Sequence, residues 1–391
     1  MKKLNLLNGM RICIFSSWYP YSENPLYGIF VHQFAKRIHK AGADVFVIAT
    51  TKSNQNKEFE KMDDIPIFRI GSCFSVFCNP HKLLILYKIF RRADIVNIHA
   101  IDFFGAILTL IAKLMKKPVV ITVQRAEVLS TNSLLFNLLR TIALKIANVI
   151  IAVSYATKNL AVKAGAPENK VVVVYNAAEE SIFFPRPKPL CRVKLGIPQN
   201  SKVVLSVGGL IPRKGFISLI RAMPLILNKI PDALMIIVGD GPEKSLLSYL
   251  VRSLKLEGKV IFTGRIFPDD LCLYYGAADV FVLPSLHEGH ALVLLEAMAS
   301  GLSVVATRVS GNVETVLHSK NGYLVQPKDV NQLAKAVINI LVDENRIRKF
   351  GDESVRIYKE KFSEEKQICK IAKIYSTVTS YRMRTLQVTS I

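Results

Sequence analysis

The chain has 391 residues, half of them hydrophobic, and carries a formal net charge of +22. That length exceeds one ordinary core and fits two domains, and the apolar content excludes global disorder. The charge points to nucleic acid, an anionic membrane or phosphate-rich small molecules as partners. With no zinc-finger spacing, no RNP-like aromatic strand and no long basic run, nucleic acid is set aside.

Residues 1–190 hold about +13 of the charge and the remainder about +9. The six cysteines, Cys13, Cys73, Cys78, Cys191, Cys272 and Cys369, form no Cys-x-x-Cys pair. Several lie in apolar stretches, which suggests a reducing compartment and argues against a structural metal site. Lys2-Lys3 precedes an apolar stretch, but Asn8 and Arg11 interrupt it and no small-residue cleavage site follows. The longest apolar block, Phe103 to Leu114, is too short to span a bilayer. The expectation is a cytoplasmic protein, with peripheral attachment to the inner face of the cell membrane left open.

In chain order, an apolar strand begins at Met10-Ile14 and ends at Ser16-Ser17, and a loop runs from Trp18 to Tyr27. A helix follows from about Gly28 to Lys40, with Phe30, Phe34 and Ile38 at fourfold spacing on one face. Short apolar segments then recur at Val45-Ala49, Ile65-Ile70, Ile95-His99, Val119-Val123, Val149-Val153 and Val171-Tyr175. Lys82 to Arg92 mixes apolar and basic residues at helical length. It reads either as a crossover helix with a charged edge or as a lipid-contacting amphipathic helix. Phe74-Ser75-Val76-Phe77 just before it is a candidate acceptor-pocket wall.

The alternating prolines of Phe183 to Pro189 fit neither a central strand nor a helix interior and read as an inter-domain linker. Strands resume at Lys202-Val207, Leu234-Gly239, Val260-Thr263, Val280-Leu283 and Ser303-Ala306. Short buried strands separated by helices indicate parallel sheets covered on both faces, an α/β architecture of two tandem doubly wound domains. The expected boundaries are 1–182 for the first domain, 183–200 for the linker and 201–360 for the second. Residues 361–391 form a closing helix, with Phe362, Ile368, Ile371 and Tyr375 on one face and a return to the first domain left open. Ligands are expected in the crevice at the carboxyl ends of the strands.

Pro284 to Gly301 carries the strongest chemical signal. A buried strand ends, a short loop brings Glu288 and Gly289, and an apolar helix contains Glu296. A carboxylate within an apolar helix is costly unless paired, and the helix start offers free N–H groups to an anion. Were the whole span helical, the two carboxylates would stand ~12 Å apart, holding two ends of a ligand and not one atom. The alternative is a helix-start acid plus a surface glutamate. Val207 to Gly215 is the second signal: Gly208-Gly209 permit close backbone approach, and Arg213-Lys214 offer a fork and a point charge to phosphate. Gly239-Asp240-Gly241-Pro242 reads as a structural turn.

Glu288 and Glu296 with seven residues between them, Gly208-Gly209 and Arg213-Lys214-Gly215 together resemble the retaining glycosyltransferases of family 4, of GT-B fold. Trp18-Tyr19-Pro20, Gly28-Ile29-Phe30-Val31, Val153-Ser154, Gly239-Asp240-Gly241-Pro242 and Gly301 to Ala306 match in order, over nearly the whole chain. The resemblance implies two Rossmann-like domains facing across a cleft. It implies transfer of a sugar from a nucleoside-diphosphate-sugar to a cell-surface glycan or lipid-linked acceptor, without a metal or other cofactor. In that scheme Arg213 and Lys214 neutralise the donor diphosphate, Glu288 lies near the transferred sugar and Glu296 binds the ribose hydroxyls. The backbone amides of Gly289, His290 and Ala291 face phosphates and sugar.

The first domain departs from the pattern. Where many relatives have His-Gly and then Asp after the fifth apolar strand, this chain has Gln124, Arg125 and Glu127, and Gln is no general base. His99, in the preceding loop, becomes the candidate for contact with sugar or acceptor, against a strand-end histidine bonded to backbone. Gly28, Gln124, Arg125 and Glu127 are assigned to the acceptor side. His290, often aromatic in relatives, is expected either to meet the sugar or to pack in its loop, while Asn176 reads as a turn at the domain crossing. A non-catalytic GT-B sugar-binding subunit and a nucleotide-sugar epimerase are the alternatives. A dinucleotide oxidoreductase is disfavoured by the lack of a Gly-x-Gly-x-x-Gly turn after the first strand.

Overall fold

The computed structural model describes residues 5–50, 58–71, 76, 79–99, 101–124 and 133–388. The chain forms two compact units, one of Met1–Tyr175 with Glu365–Ile391, the other of Asn176–Glu364.

The first unit is built on β1 (Arg11–Ser16), β2 (Asp44–Ala49), β3 (Phe59–Met62), β4 (Ile65–Arg69), β5 (Ile95–Ile98), β6 (Val119–Val123), β7 (Val149–Ala152) and β8 (Val171–Val173). They lie in the order β3-β4-β2-β1-β5-β6-β7-β8. β3 pairs antiparallel with β4, and the other neighbours pair parallel. β5 and β6 are buried throughout, as expected of strands covered on both faces. β3 is absent from the sequence reading because its four residues are half exposed and carry no apolar run.

Helices follow the carboxyl ends of these strands: α1 (Ile29–Lys40), α2 (Pro80–Arg92), α3 (Phe103–Leu114), α4 (Leu134–Ile146) and α5 (Tyr155–Lys163). α2 turns Leu86, Ile89 and Phe90 into the core, as a crossover helix does. The C-terminal helix, Glu364–Val388, belongs to this unit from Glu365 onward. Its Ile368, Ile371 and Tyr375 join the core of α1 and β2, and Asn97 Nδ2 donates to Tyr375 Oη at 2.6 Å. Phe362, expected on the same face, precedes the helix and lies in the second unit.

The second unit carries β9 (Lys202–Val207), β10 (Ala233–Val238), β11 (Val260–Gly264), β12 (Val280–Leu283), β13 (Ser303–Thr307) and β14 (Gly322–Val325). Their order is β11-β10-β9-β12-β13-β14, all parallel. The chain winds outward from β9 in one direction and from β12 in the other, so the switch point of the sheet lies between these two strands.

The expected linker 183–200 is structured. It contains α6 (Lys188–Leu195), part of the second unit, with Cys191 and Arg192 buried. Arg192 donates to the Ala277 carbonyl at 3.0 Å and to Asp279 at 2.8 Å. Proline-rich sequence misleads here because Pro187 and Pro189 occupy the helix start, where N–H groups need no intrahelical partner. The change of unit falls earlier, between Tyr175 and Asn176.

Candidate functional site

Two loops meet at the switch point of the second sheet. After β9, Gly208 to Ile211 lead into a single 3-10 turn, Pro212–Lys214, and Gly215 opens α7 (Phe216–Leu227). After β12, Pro284 to Ala291 lead into α10 (Leu292–Ala299). Their backbones touch: Leu286 N–H donates to the Arg213 carbonyl at 2.7 Å. A Cβ on Gly215 would stand 2.2 Å from the Pro284 carbonyl oxygen, at a residue whose φ of +68° already favours glycine. Sequence requires glycine at 215 for both reasons.

This docking places Lys214 against Glu288. Nζ donates to Oε1 at 2.6 Å, and Ser285 Oγ donates to the same oxygen at 2.7 Å. Burial pushes the Glu288 pKa up, but Lys214, Ser285 and the nearby Arg213 outweigh it and hold the carboxyl below its ordinary value. The site therefore keeps an ionised carboxylate in a low-dielectric place. Pairing of Lys214 with Glu288 was not foreseen from the sequence, which gave one to phosphate and the other to sugar. A Cβ on Gly208 would make ordinary contact with the Lys214 stem at 3.5 Å, whereas one on Gly209 would meet only the Asp240 carbonyl, at 3.9 Å.

α10 begins only at Leu292, so Glu288 lies in the loop and the helical separation of the two carboxylates does not apply. No acid occupies its first turn and no side chain caps it, although Leu294 N–H donates to the Ala291 carbonyl at 3.2 Å, so a helix start of this kind favours an anion. Glu296 sits in the helix and is buried, with Tyr275 Oη donating to Oε2 at 2.9 Å. Burial raises its pKa to about 7, against the opposing effect of the Tyr275 bond. Tyr275, from α9 (Pro268–Ala277), escapes sequence reading because its apolar helix context looks like core.

His290 is buried against residues from outside its loop, Asn176 and Phe362. Its Nδ1 accepts from the Asn176 N–H at 3.2 Å, and the Asn176 amide donates to the His290 carbonyl at 3.3 Å. Its ring packs 5.4 Å from that of Phe362, and burial lowers its pKa to about 3. The Asn176 bond assigns the ring proton to Nε2. Gly289 is held beside Gly311, where an added Cβ would stand 2.0 Å from the Gly289 carbonyl oxygen.

In the first unit, His99 directly follows β5 beside β1, at that sheet's own switch point, and its N–H donates to the Phe15 carbonyl at 2.8 Å. The ring lies 4.5 Å from Phe34 and is 1% exposed. Neither ring nitrogen has a hydrogen-bond partner among the described residues, and burial lowers the pKa to about 3. Gly28 caps α1 with φ +67°, and a Cβ there would stand 2.2 Å from the Trp18 carbonyl oxygen. Gln124 is half-buried just after β6. Arg125, Glu127, Phe74, Ser75 and Phe77 lie outside the described residues.

Two doubly wound units on largely parallel sheets, the second with the Lys214–Glu288 ion pair between the loops at its switch point, have the architecture of the GT-B class. Solved structures share that fold along nearly the whole chain. The sucrose-phosphate synthase from Thermosynechococcus elongatus superposes with a TM-score of 0.79 at 22% identity, covering 95% of this chain and 100% of that one. Anabaena HepE, solved in complex with UDP and glucose, gives 0.79 at 22%, covering 94% and 100%.

The family model described as Glycosyl transferases group 1 matches residues 188–356, and that described as Glycosyltransferase Family 4 matches residues 28–181. The chain belongs to this group 1 and family 4 class of GT-B glycosyltransferases. It is 31% identical over 251 residues to the N-acetyl-alpha-D-glucosaminyl L-malate synthase of Bacillus anthracis, covering 64% of this chain and 65% of that one. It is 33% identical over 213 residues to a GDP-mannose-dependent alpha-(1-6)-phosphatidylinositol monomannoside mannosyltransferase of Mycolicibacterium smegmatis, covering 52% and 56%. The chain thus spans less than two thirds of the length of these relatives.

Proposed function

We propose that this protein transfers a sugar from a nucleoside-diphosphate-sugar to a glycan or lipid-linked acceptor, with retention at the anomeric carbon. The observation that carries the reading is the Lys214–Glu288 pair, held at the switch point beside Arg213 and the start of α10. An incoming diphosphate would find two cations and a helix start without acidic residues. Relatives named for GDP-mannose dependence, and a neighbour solved with UDP, support a nucleoside diphosphate as the ligand.

In this reading Arg213 and Lys214 neutralise the diphosphate as it leaves. They supply charge that a divalent ion would otherwise provide, so no metal is needed. Lys214 exchanges part of its bond to Glu288 for phosphate, freeing that carboxylate to accept from a hydroxyl of the transferred sugar. Glu296, poised near neutrality, accepts from the ribose hydroxyls. The departing phosphate assists front-face attack, which retains configuration without a covalent glycosyl-enzyme. His99, neutral at physiological pH, offers a hydrogen bond to sugar or acceptor, while Gly28 and Gln124 serve the acceptor side, as do Arg125 and Glu127.

A panel of nucleoside-diphosphate-sugars, assayed for release of nucleoside diphosphate with and without glycan or lipid-linked acceptors, tests the reading. Turnover with one donor, abolished in Lys214→Ala, supports it. Binding of donors without turnover under every condition would favour a sugar-binding subunit.

A further inference from the structure

We infer that the start of α4 inserts its leucines into an anionic bilayer and so brings the first unit to a membrane-held acceptor; the second half of this inference rests on the transfer reading above. Leu134, Leu135 and Leu138 are 85%, 60% and 59% exposed, on a helix whose other face packs into the core through Ala143 and Leu144. Spacings of three and four residues put these leucines on one side of the helix. Phe103 and Tyr155, the first residues of α3 and α5, are also exposed. All three helices begin beyond the carboxyl ends of neighbouring parallel strands, β5, β6 and β7, so their starts share one edge of the unit. Soluble surfaces scatter single apolar residues; three large ones at one helix start mark a contact surface.

Charge selects the occupant. The first unit holds 28 lysines and arginines against 11 acids, a balance of +17 out of the chain's +22. None of α1 to α5 has an acid in its first turn, and Asp102 caps one of them. Five positive helix ends at the same edge of the sheet add to the net charge there. Exposed apolar side chains on a unit of this net charge suit lipid tails beneath anionic headgroups, whereas a second copy of the chain would bring like charge against like. Among the described residues no helix is long and apolar enough to cross a membrane, so the contact would be peripheral. α2, the basic helix of this unit, buries Leu86, Ile89 and Phe90 and leaves Leu84 and Tyr87 exposed, two large apolar residues against the three more exposed leucines of α4.

The test is flotation of the full chain with vesicles of phosphatidylcholine alone and with about 30% phosphatidylglycerol. The wild type should float with the anionic vesicles and not the neutral ones. Leu134→Ser/Leu135→Ser/Leu138→Ser should lose at least about tenfold in partition while keeping its melting temperature and its nucleoside-diphosphate affinity. Equal flotation of the triple variant, or no flotation of the wild type, would overturn the proposal. So would a wild-type dimer that the triple substitution makes monomeric. Vesicle binding with no nucleotide affinity would leave this contact standing and remove the transfer reading instead.

Discussion

Lys214 Nζ lies 2.6 Å from Glu288 Oε1, joining the loop after β9 to the loop after β12. Each partner justifies burial of the other, and Ser285 satisfies the carboxylate further. Lys214→Ala strands the carboxylate and should cost on the order of 3 kcal/mol in chemical denaturation. Lys214→Ala/Glu288→Gln should recover part of that loss, because the double variant has no buried charge to strand. A double variant less stable than the sum of both singles would contradict the pairing.

Gly215→Ala tests how the two loops are held. Its Cβ would collide with the Pro284 carbonyl at 2.2 Å. Gly196 has nearly the same φ, +66°, with nothing within 4 Å of its Cβ. Gly196→Ala should therefore cost only the left-handed backbone, about 1 kcal/mol, and spare nucleotide binding. Gly215→Ala should cost clearly more and weaken binding, as read by unfolding and calorimetry together. Equal costs would mean the loops part freely.

Glu296 makes stability depend on pH. Its value rises from 4.5 to about 7 through burial, so the neutral acid is the form the fold prefers. The penalty is absent below 4.5, grows as pH rises towards 7 and is complete above it, at roughly 3 kcal/mol. Glu296→Gln should be the more stable protein at pH 8 by an amount of that order, and equal to wild type at pH 4. Denaturant unfolding at the two pH values reads the difference, and a constant offset would refute the assignment.

A second polar chain fixes the loop after β1. Tyr19 Oη stands 2.7 Å from His32 Nδ1, and His32 Nε2 stands 2.9 Å from Asp63 Oδ2. The Asp63 carboxylate can only accept, so Nε2 carries a proton, and in the neutral imidazole Tyr19 donates to Nδ1. Its partners lower the Asp63 pKa, the His32 hydrogen bond most of all. Tyr19→Phe removes the hydroxyl that bonds the buried His32 ring. It should cost about 1–2 kcal/mol and speed amide exchange in residues 17–28, with the second unit unaffected. Unchanged exchange in that loop would show that the chain of bonds does not hold it.

The fold was legible because fully apolar strands such as Val119–Val123 and Val280–Leu283 announce parallel sheets without help from tertiary context. β3 was not, since a short edge strand has no buried face to leave an apolar pattern. The proline run concealed α6, whose stability comes from Asp279, a residue remote in sequence. At the site, Glu288, Glu296, Arg213 and Lys214 were visible as charges in apolar or glycine-rich surroundings. Their partners were not: Lys214 meets Glu288 because β9 and β12, far apart in sequence, are neighbours in the sheet, and Tyr275 meets Glu296 because the helices before and after β12 bring them together. Asn176 looked like a turn, and its bond to His290 needed the fold to appear.

The most direct test of the donor site is calorimetric titration of UDP- and GDP-sugars into the wild type, Lys214→Ala and Glu296→Ala. At least one donor should bind the wild type and bind both variants at least about tenfold more weakly, while neither variant loses its folded state. Affinities unchanged in both variants would contradict a nucleotide-sugar site built on Lys214 and Glu296.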